Sequence, residues 1–112
     1  MSAITTHVLD VACGRPAAGV PVTLSRLEGD AWRDLGAGTT DEDGRLLTLL
    51  PNGPLVVGTY LLVFDTATYF RAKKIDGFYP TVSVEFLVAD AAAHFHVPLL
   101  LSPFGYSTYR GS

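Results

Sequence analysis

From Ile4 onward the chain alternates apolar and polar positions in short runs broken by turn residues, the period of two that half-buried strands show. Ile4 to Asp10 alternates and stops at Cys13-Gly14-Arg15-Pro16. Val20 to Leu27 places Val20, Val22 and Leu24 on one parity and ends at the Gly29-Asp30 turn. Trp32 to Thr40, richer in glycine, leads into Asp41-Glu42-Asp43-Gly44; Arg45 to Leu50 follows, and Pro51-Asn52-Gly53-Pro54 breaks the chain again. Gly58 to Phe64, Thr81 to Val88, His94 to Leu101 and Tyr106 to Arg110 read as further strands. Thr66 to Lys74 loses the alternation and predicts a short helix, with Asp65 as its N-cap and Gly77 as its stop. About eight short strands with turns at this spacing predict an all-β sandwich of two sheets, one domain over residues 1–112.

Side chains two apart on a strand share a face, so parity sorts candidate core from candidate chemistry. In His94 to Leu101 the set Phe95, Val97, Leu99 and Leu101 is wholly apolar and predicts the core face. His94, His96, Pro98 and Leu100 then turn away from it. In the first strand Thr5, His7 and Leu9 oppose Thr6 and Val8; in the last, Tyr106, Thr108 and Arg110 oppose Ser107, Tyr109 and Gly111. Ionisable groups from several strands therefore gather on a face that a plain sandwich would show to water. A strand histidine or arginine in that position is ordinarily just solvated. Residues 109–112 are less ordinary, because aromatic, guanidinium and hydroxyl groups crowd a stretch that usually frays.

Composition narrows the function classes. With 48% hydrophobic and 17% charged residues the chain is no disordered tail. A formal charge of −3, with Lys73-Lys74 as the longest basic run, argues against a nucleic-acid surface. No apolar run reaches the length of a membrane span. Cys13 is the single cysteine, so an internal disulfide is impossible and a reducing, cytoplasmic setting is expected. The start Met1-Ser2-Ala3-Ile4-Thr5-Thr6-His7 lacks the basic and apolar regions of a signal peptide. His94 and His96 have the spacing of two ligands on one face, but no acidic partner or second thiol accompanies them, so no metal and no cofactor is expected. Mean hydropathy of +0.30 is high for so small a chain and suggests that a partner subunit covers part of its surface.

Two segments extend the reading. His7-Val8-Leu9-Asp10 with Gly14-Arg15-Pro16-Ala17, and Phe95-His96-Val97-Pro98-Leu99-Leu100-Leu101-Ser102-Pro103-Phe104-Gly105-Tyr106-Ser107, resemble the two signatures of the transthyretin family. Asp65-Thr66 and Phe78-Tyr79-Pro80 carry the resemblance through the middle of the chain. Within that family the chain resembles the 5-hydroxyisourate hydrolases, in having His7 in the first strand, Arg45 after the Asp-Gly turn, His96 in the Val-Pro-Leu strand, and Tyr109-Arg110-Gly111-Ser112.

The resemblance implies a transthyretin-like sandwich of two four-stranded sheets, edge-to-edge dimers, and a homotetramer made of two such dimers around a central channel. It also implies the hydrolysis of 5-hydroxyisourate to 2-oxo-4-hydroxy-4-carboxy-5-ureidoimidazoline in urate degradation. His7 and His96 would then activate water and move protons, with the choice of base left open. Arg45 would orient the ring and stabilise the oxyanion, and Tyr109 would bind the ring and narrow the channel. Ser112, by hydroxyl or terminal carboxylate, would fix a histidine tautomer, and Arg110 would assist in binding although it lies on the other parity. The alternative is a transthyretin-like carrier of a small ligand without catalysis; the bulk of Tyr109 in the channel argues against it.

Overall fold

The computed structural model describes residues 2–112. The strands are β1 (Ile4–Asp10), β2 (Arg15–Pro16), β3 (Pro21–Glu28), β4 (Ala31–Thr39), β5 (Arg45–Leu46), β6 (Gly58–Phe64), β7 (Val82–Val88), β8 (Phe95–Ser102) and β9 (Gly105–Thr108). Among the described residues there is one helix, α1 (Thr66–Ala72), between β6 and β7. One sheet runs β4-β3-β6-β7, antiparallel throughout. The other runs β2-β1-β8-β9, with β5 also pairing β1. The sandwich is as expected, but nine strands replace about eight, and the second sheet holds five strands rather than four. The extra strand comes from Arg15-Pro16, which lies opposite Leu9 and Asp10 instead of merely breaking the chain.

Alternation identifies the core. Val22 and Leu24 from one sheet, Val20 just before β3, and Val97, Leu99 and Leu101 from the other sheet belong to a single buried cluster with Val8, Leu62 and Phe64. Arg45 to Leu50, expected as a strand, pairs only through Arg45 and Leu46. Beyond them Leu46 and Leu49 are the buried pair. Two inward side chains three residues apart do not fit a period of two, so this stretch covers the core as a loop.

Asp65 caps α1 as expected: its carboxylate accepts from Thr68 N at 3.1 Å and from Thr68 Oγ1 at 2.7 Å. The helix ends at Ala72 rather than at Gly77, and Lys74 takes the left-handed conformation that closes it. Gly77 serves a different need, since a Cβ there would lie 2.6 Å from the Phe70 ring. The helix is tied to the other sheet by Tyr69, whose hydroxyl donates to Asp10 Oδ2 at 2.7 Å. Asp10 is buried, and its other oxygen accepts from Ala12 N and Cys13 N. Burial and the adjacent carboxylate push the Tyr69 hydroxyl well above its ordinary pKa, so it stays a donor. No helix among the described residues is long and apolar enough to cross a membrane.

Candidate active site

The first strand and the eighth are parallel neighbours, with Thr5 opposite His96 and His7 opposite Pro98. On the other side of β1, His7 lies opposite Arg45. The β8–β9 register, Leu99 opposite Thr108, continues past β9 to an isolated bridge between His96 and Gly111. That continuation sets Tyr109 beside Pro98 and Arg110 beside Val97. Two transverse rows result on the outer face of the sheet. One reads Arg45, His7, Pro98; the next reads Thr5, His96, Gly111. Rows two residues apart on a strand are separated by roughly 6.6 Å, within reach of one small heterocycle.

Gly44 fixes the Arg45 end of the first row. It sits at φ +74, and a Cβ there would lie 2.4 Å from the Val8 carbonyl. Only glycine permits both the left-handed turn and this approach. The Gly44 carbonyl accepts from Val8 N at 2.7 Å, drawing the Asp41–Arg45 turn onto β1. In the same turn the Asp43 carbonyl lies 2.8 Å from His7 Nε2. A carbonyl can only accept, so His7 carries a proton on Nε2 and turns Nδ1 to the open side.

His96 is held on three sides. Thr5 Oγ1 lies 2.9 Å from its Nδ1, and its carbonyl accepts from Gly111 N at 2.7 Å. Gly111 itself presses on the ring: a Cβ there would stand 2.7 Å from His96 Cδ2. With Nδ1 and the Cδ2 edge occupied, Nε2 is the nitrogen left for a ligand. Partial burial lowers the His96 pKa below the ordinary histidine value, and electrostatic interaction with the neighbouring His7, His94 and Arg45 lowers it further. The ring is therefore neutral at neutral pH.

Parity thus places His7, Arg45 and His96 on one face; Tyr109, past the end of β9 and 58% exposed, lines a pocket with Phe95, Val97 and Arg110. Arg110 is not brought to that face. Its guanidinium carbon stands 4.5 Å from the Phe95 ring centroid, on the inner side of the sheet. Ser112 is exposed, and the histidine nitrogens find Thr5 and Asp43 as partners in its place. Thr5 was visible on the His7 parity, but a threonine in a strand signals nothing by itself; only the register discloses its partners. His94 lies just before β8 with its Nε2 3.3 Å from the same Thr5 hydroxyl. Among the described residues no group of three or more His, Cys, Asp or Glu side chains could hold a metal ion.

Known proteins place this arrangement. The chain is 46% identical over 109 residues to a 5-hydroxyisourate hydrolase of Salmonella dublin, covering 97% of this chain and 80% of that protein. The solved structure of Klebsiella pneumoniae 5-hydroxyisourate hydrolase superposes with a TM-score of 0.85 at 38% identity, covering 97% of this chain and 92% of that one. Sea bream transthyretin in complex with thyroxine superposes with a TM-score of 0.90 at 29% identity, covering 98% and 95% of the two chains. The backbone is thus shared by a hydrolase and a transthyretin in complex with thyroxine, and identity is higher to the hydrolase. The HIUase/Transthyretin family profile matches residues 4–111, and the chain belongs to that family.

Proposed function

We propose that the protein hydrolyses 5-hydroxyisourate to 2-oxo-4-hydroxy-4-carboxy-5-ureidoimidazoline. The observation that carries this is the pair of rows on the outer sheet face, where two imidazoles and a guanidinium stand together with His96 held neutral. The two 5-hydroxyisourate hydrolases named above support the same substrate.

The reaction adds water to a ring carbonyl, breaks the adjacent carbon–nitrogen bond and returns a proton to the leaving nitrogen. His96 acts as the base: its Nε2 is free, and its lowered pKa keeps a lone pair available. His7, with Nε2 committed to the Asp43 carbonyl, assists through Nδ1 in holding the water or passing the proton to nitrogen. Arg45, directly across from His7, orients the polar ring by forked hydrogen bonds and stabilises the oxyanion. Tyr109 packs against the ring. Arg110, stacked on Phe95 in its own chain, and Ser112, exposed beside Gly111, serve the site of a neighbouring subunit.

The active form is a homotetramer, a dimer of dimers that closes this open face. Support comes from the apolar side chains left in water: Val11, Phe104 and Tyr106 near the β8–β9 end, and Leu87, 74% exposed on the edge strand β7. The lone, exposed Cys13 fits a reducing cytoplasm.

The test is spectrophotometric decay of freshly generated 5-hydroxyisourate, with light scattering on the same sample. Accelerated decay and a mass of about four times 12.0 kDa are expected. His7→Ala, Arg45→Ala and His96→Ala each lower turnover by about two to four orders of magnitude. A carrier that only binds would leave the spontaneous rate unchanged, and a monomer of full activity would refute the shared site.

A further inference from the structure

The Thr5 side chain is buried, and its hydroxyl stands between two imidazole nitrogens, His96 Nδ1 at 2.9 Å and His94 Nε2 at 3.3 Å. A hydroxyl has one proton to give and two lone pairs to accept with, so the two contacts constrain each other. If Thr5 donates to His96, the neutral ring carries its proton on Nε2 and has no lone pair facing the open side. If Thr5 donates to His94, it accepts the Nδ1–H of His96, and the Nε2 lone pair faces outward.

We propose that Thr5 is a positioning residue that gives its proton to His94 Nε2 and takes the Nδ1–H of His96, so that His96 is presented as the Nε2 base. This rests on the reading of His96 as base. The chemistry of proton uptake at His96 favours the direction. When His96 takes up a proton both its nitrogens must donate, and a Thr5 that already accepts from Nδ1 needs no rearrangement at that moment. His94, exposed at the start of β8, is then the acceptor that keeps the hydroxyl proton pointed away from His96. The same contact also fixes the ring flip, because a turned ring would place Cδ2 at Thr5 and Nδ1 against Gly111.

Tautomers are read directly from long-range nitrogen–proton correlation spectra of histidine-labelled protein, without substrate. The wild type shows His96 with its proton on Nδ1, and Thr5→Val lets the Nε2–H form appear. In the decay assay Thr5→Val lowers kcat about fivefold at constant KM, the usual worth of one hydrogen bond, and Thr5→Ser restores it. His94→Phe, which removes the acceptor, lowers kcat in the wild type but adds nothing on the Thr5→Val background. An Nε2–H tautomer at His96 in the wild type overturns the proposal whatever the substrate. So does full kcat in Thr5→Val, or an undiminished His94→Phe loss in the double variant. A wild type with the Nδ1–H tautomer but no hydrolysis supports the hydrogen-bond assignment and rejects the substrate instead.

Discussion

Adding one methyl group at Gly111 separates catalysis from folding. A Cβ there would stand 2.7 Å from His96 Cδ2 and 3.2 Å from the His96 carbonyl oxygen. Carbon atoms pack at about 3.5–4.0 Å, so Gly111→Ala forces an overlap of roughly 0.8 Å or more that must be relieved. The imidazole can swing off its rotamer at about 0.5–1.5 kcal/mol. The tail can instead lift away and give up the 2.7 Å bond from Gly111 N to the His96 carbonyl, at about 1 kcal/mol. Either route is a small part of a total stability of about 5–15 kcal/mol, so the fold survives. The reaction suffers more, because displacing a reacting group by about 1 Å costs on the order of a hundredfold in rate. Gly111→Ala is therefore expected to lower the hydroxyisourate decay rate by about two orders of magnitude, while the melting temperature falls by only a few degrees. Gly105→Ala is the control. Its Cβ would meet only Ser102 Oγ at 3.7 Å, an ordinary contact, and activity should persist. A Gly111→Ala protein within twofold of wild-type turnover would falsify the placement of His96 against this backbone.

Because burial and the neighbouring charges hold the His96 pKa down, the acid limb of kcat/KM should have its midpoint below the ordinary histidine value of about 6.5, and Arg45→Gln should move it upward; a midpoint above that value contradicts the assignment. The linked stability has a definite sign. The folded state binds fewer protons than the unfolded one, so this contribution is intact above about pH 6.5 and declines as pH falls toward the folded pKa. Tyr69→Phe leaves Asp10 Oδ2 buried without its donor, and should cost about 1.5–3 kcal/mol in urea denaturation with turnover unchanged; an unchanged midpoint would show that the pair is not coupled to folding. Stopping the chain after Arg110 removes the Gly111 bridge, and should abolish most activity with little change in melting temperature; retained turnover would exclude the tail from the site.

Much of this was legible in the sequence because alternation is a local property. Phe95, Val97, Leu99 and Leu101 had to face inward, and His96 therefore outward, whatever strand lay alongside. The parity of Arg110, shared with Thr108, likewise anticipated that its side chain turns to Phe95 rather than to the His7 row. What escaped was non-local. Nothing near Thr5 indicates that His94 and His96, some ninety positions away, meet its hydroxyl. The loop after Leu46 escaped for another reason: a leucine-rich run suits a buried strand and a buried loop equally, and only the inward spacing of Leu46 and Leu49 distinguishes them. Gly77 looked like a helix stop because composition cannot tell a glycine needed for its backbone angles from one needed for the room it leaves.

The parallel contact between β1 and β8 also governs when the protein becomes competent during synthesis. Parallel strands cannot be joined by a tight turn, and here six strands and a helix intervene. The sheet built from β3, β4, β6 and β7 can be complete once Val88 has emerged, while β1 still lacks its main neighbour and exposes an edge to aggregation. Until residues 95–102 arrive, His7 and Arg45 have no His96 beside them, and a stalled nascent chain carries most of the fold with none of the reactivity. The β8 pairing and the bridge from Gly111 to His96 both come after the rest of the fold, so the site is assembled last.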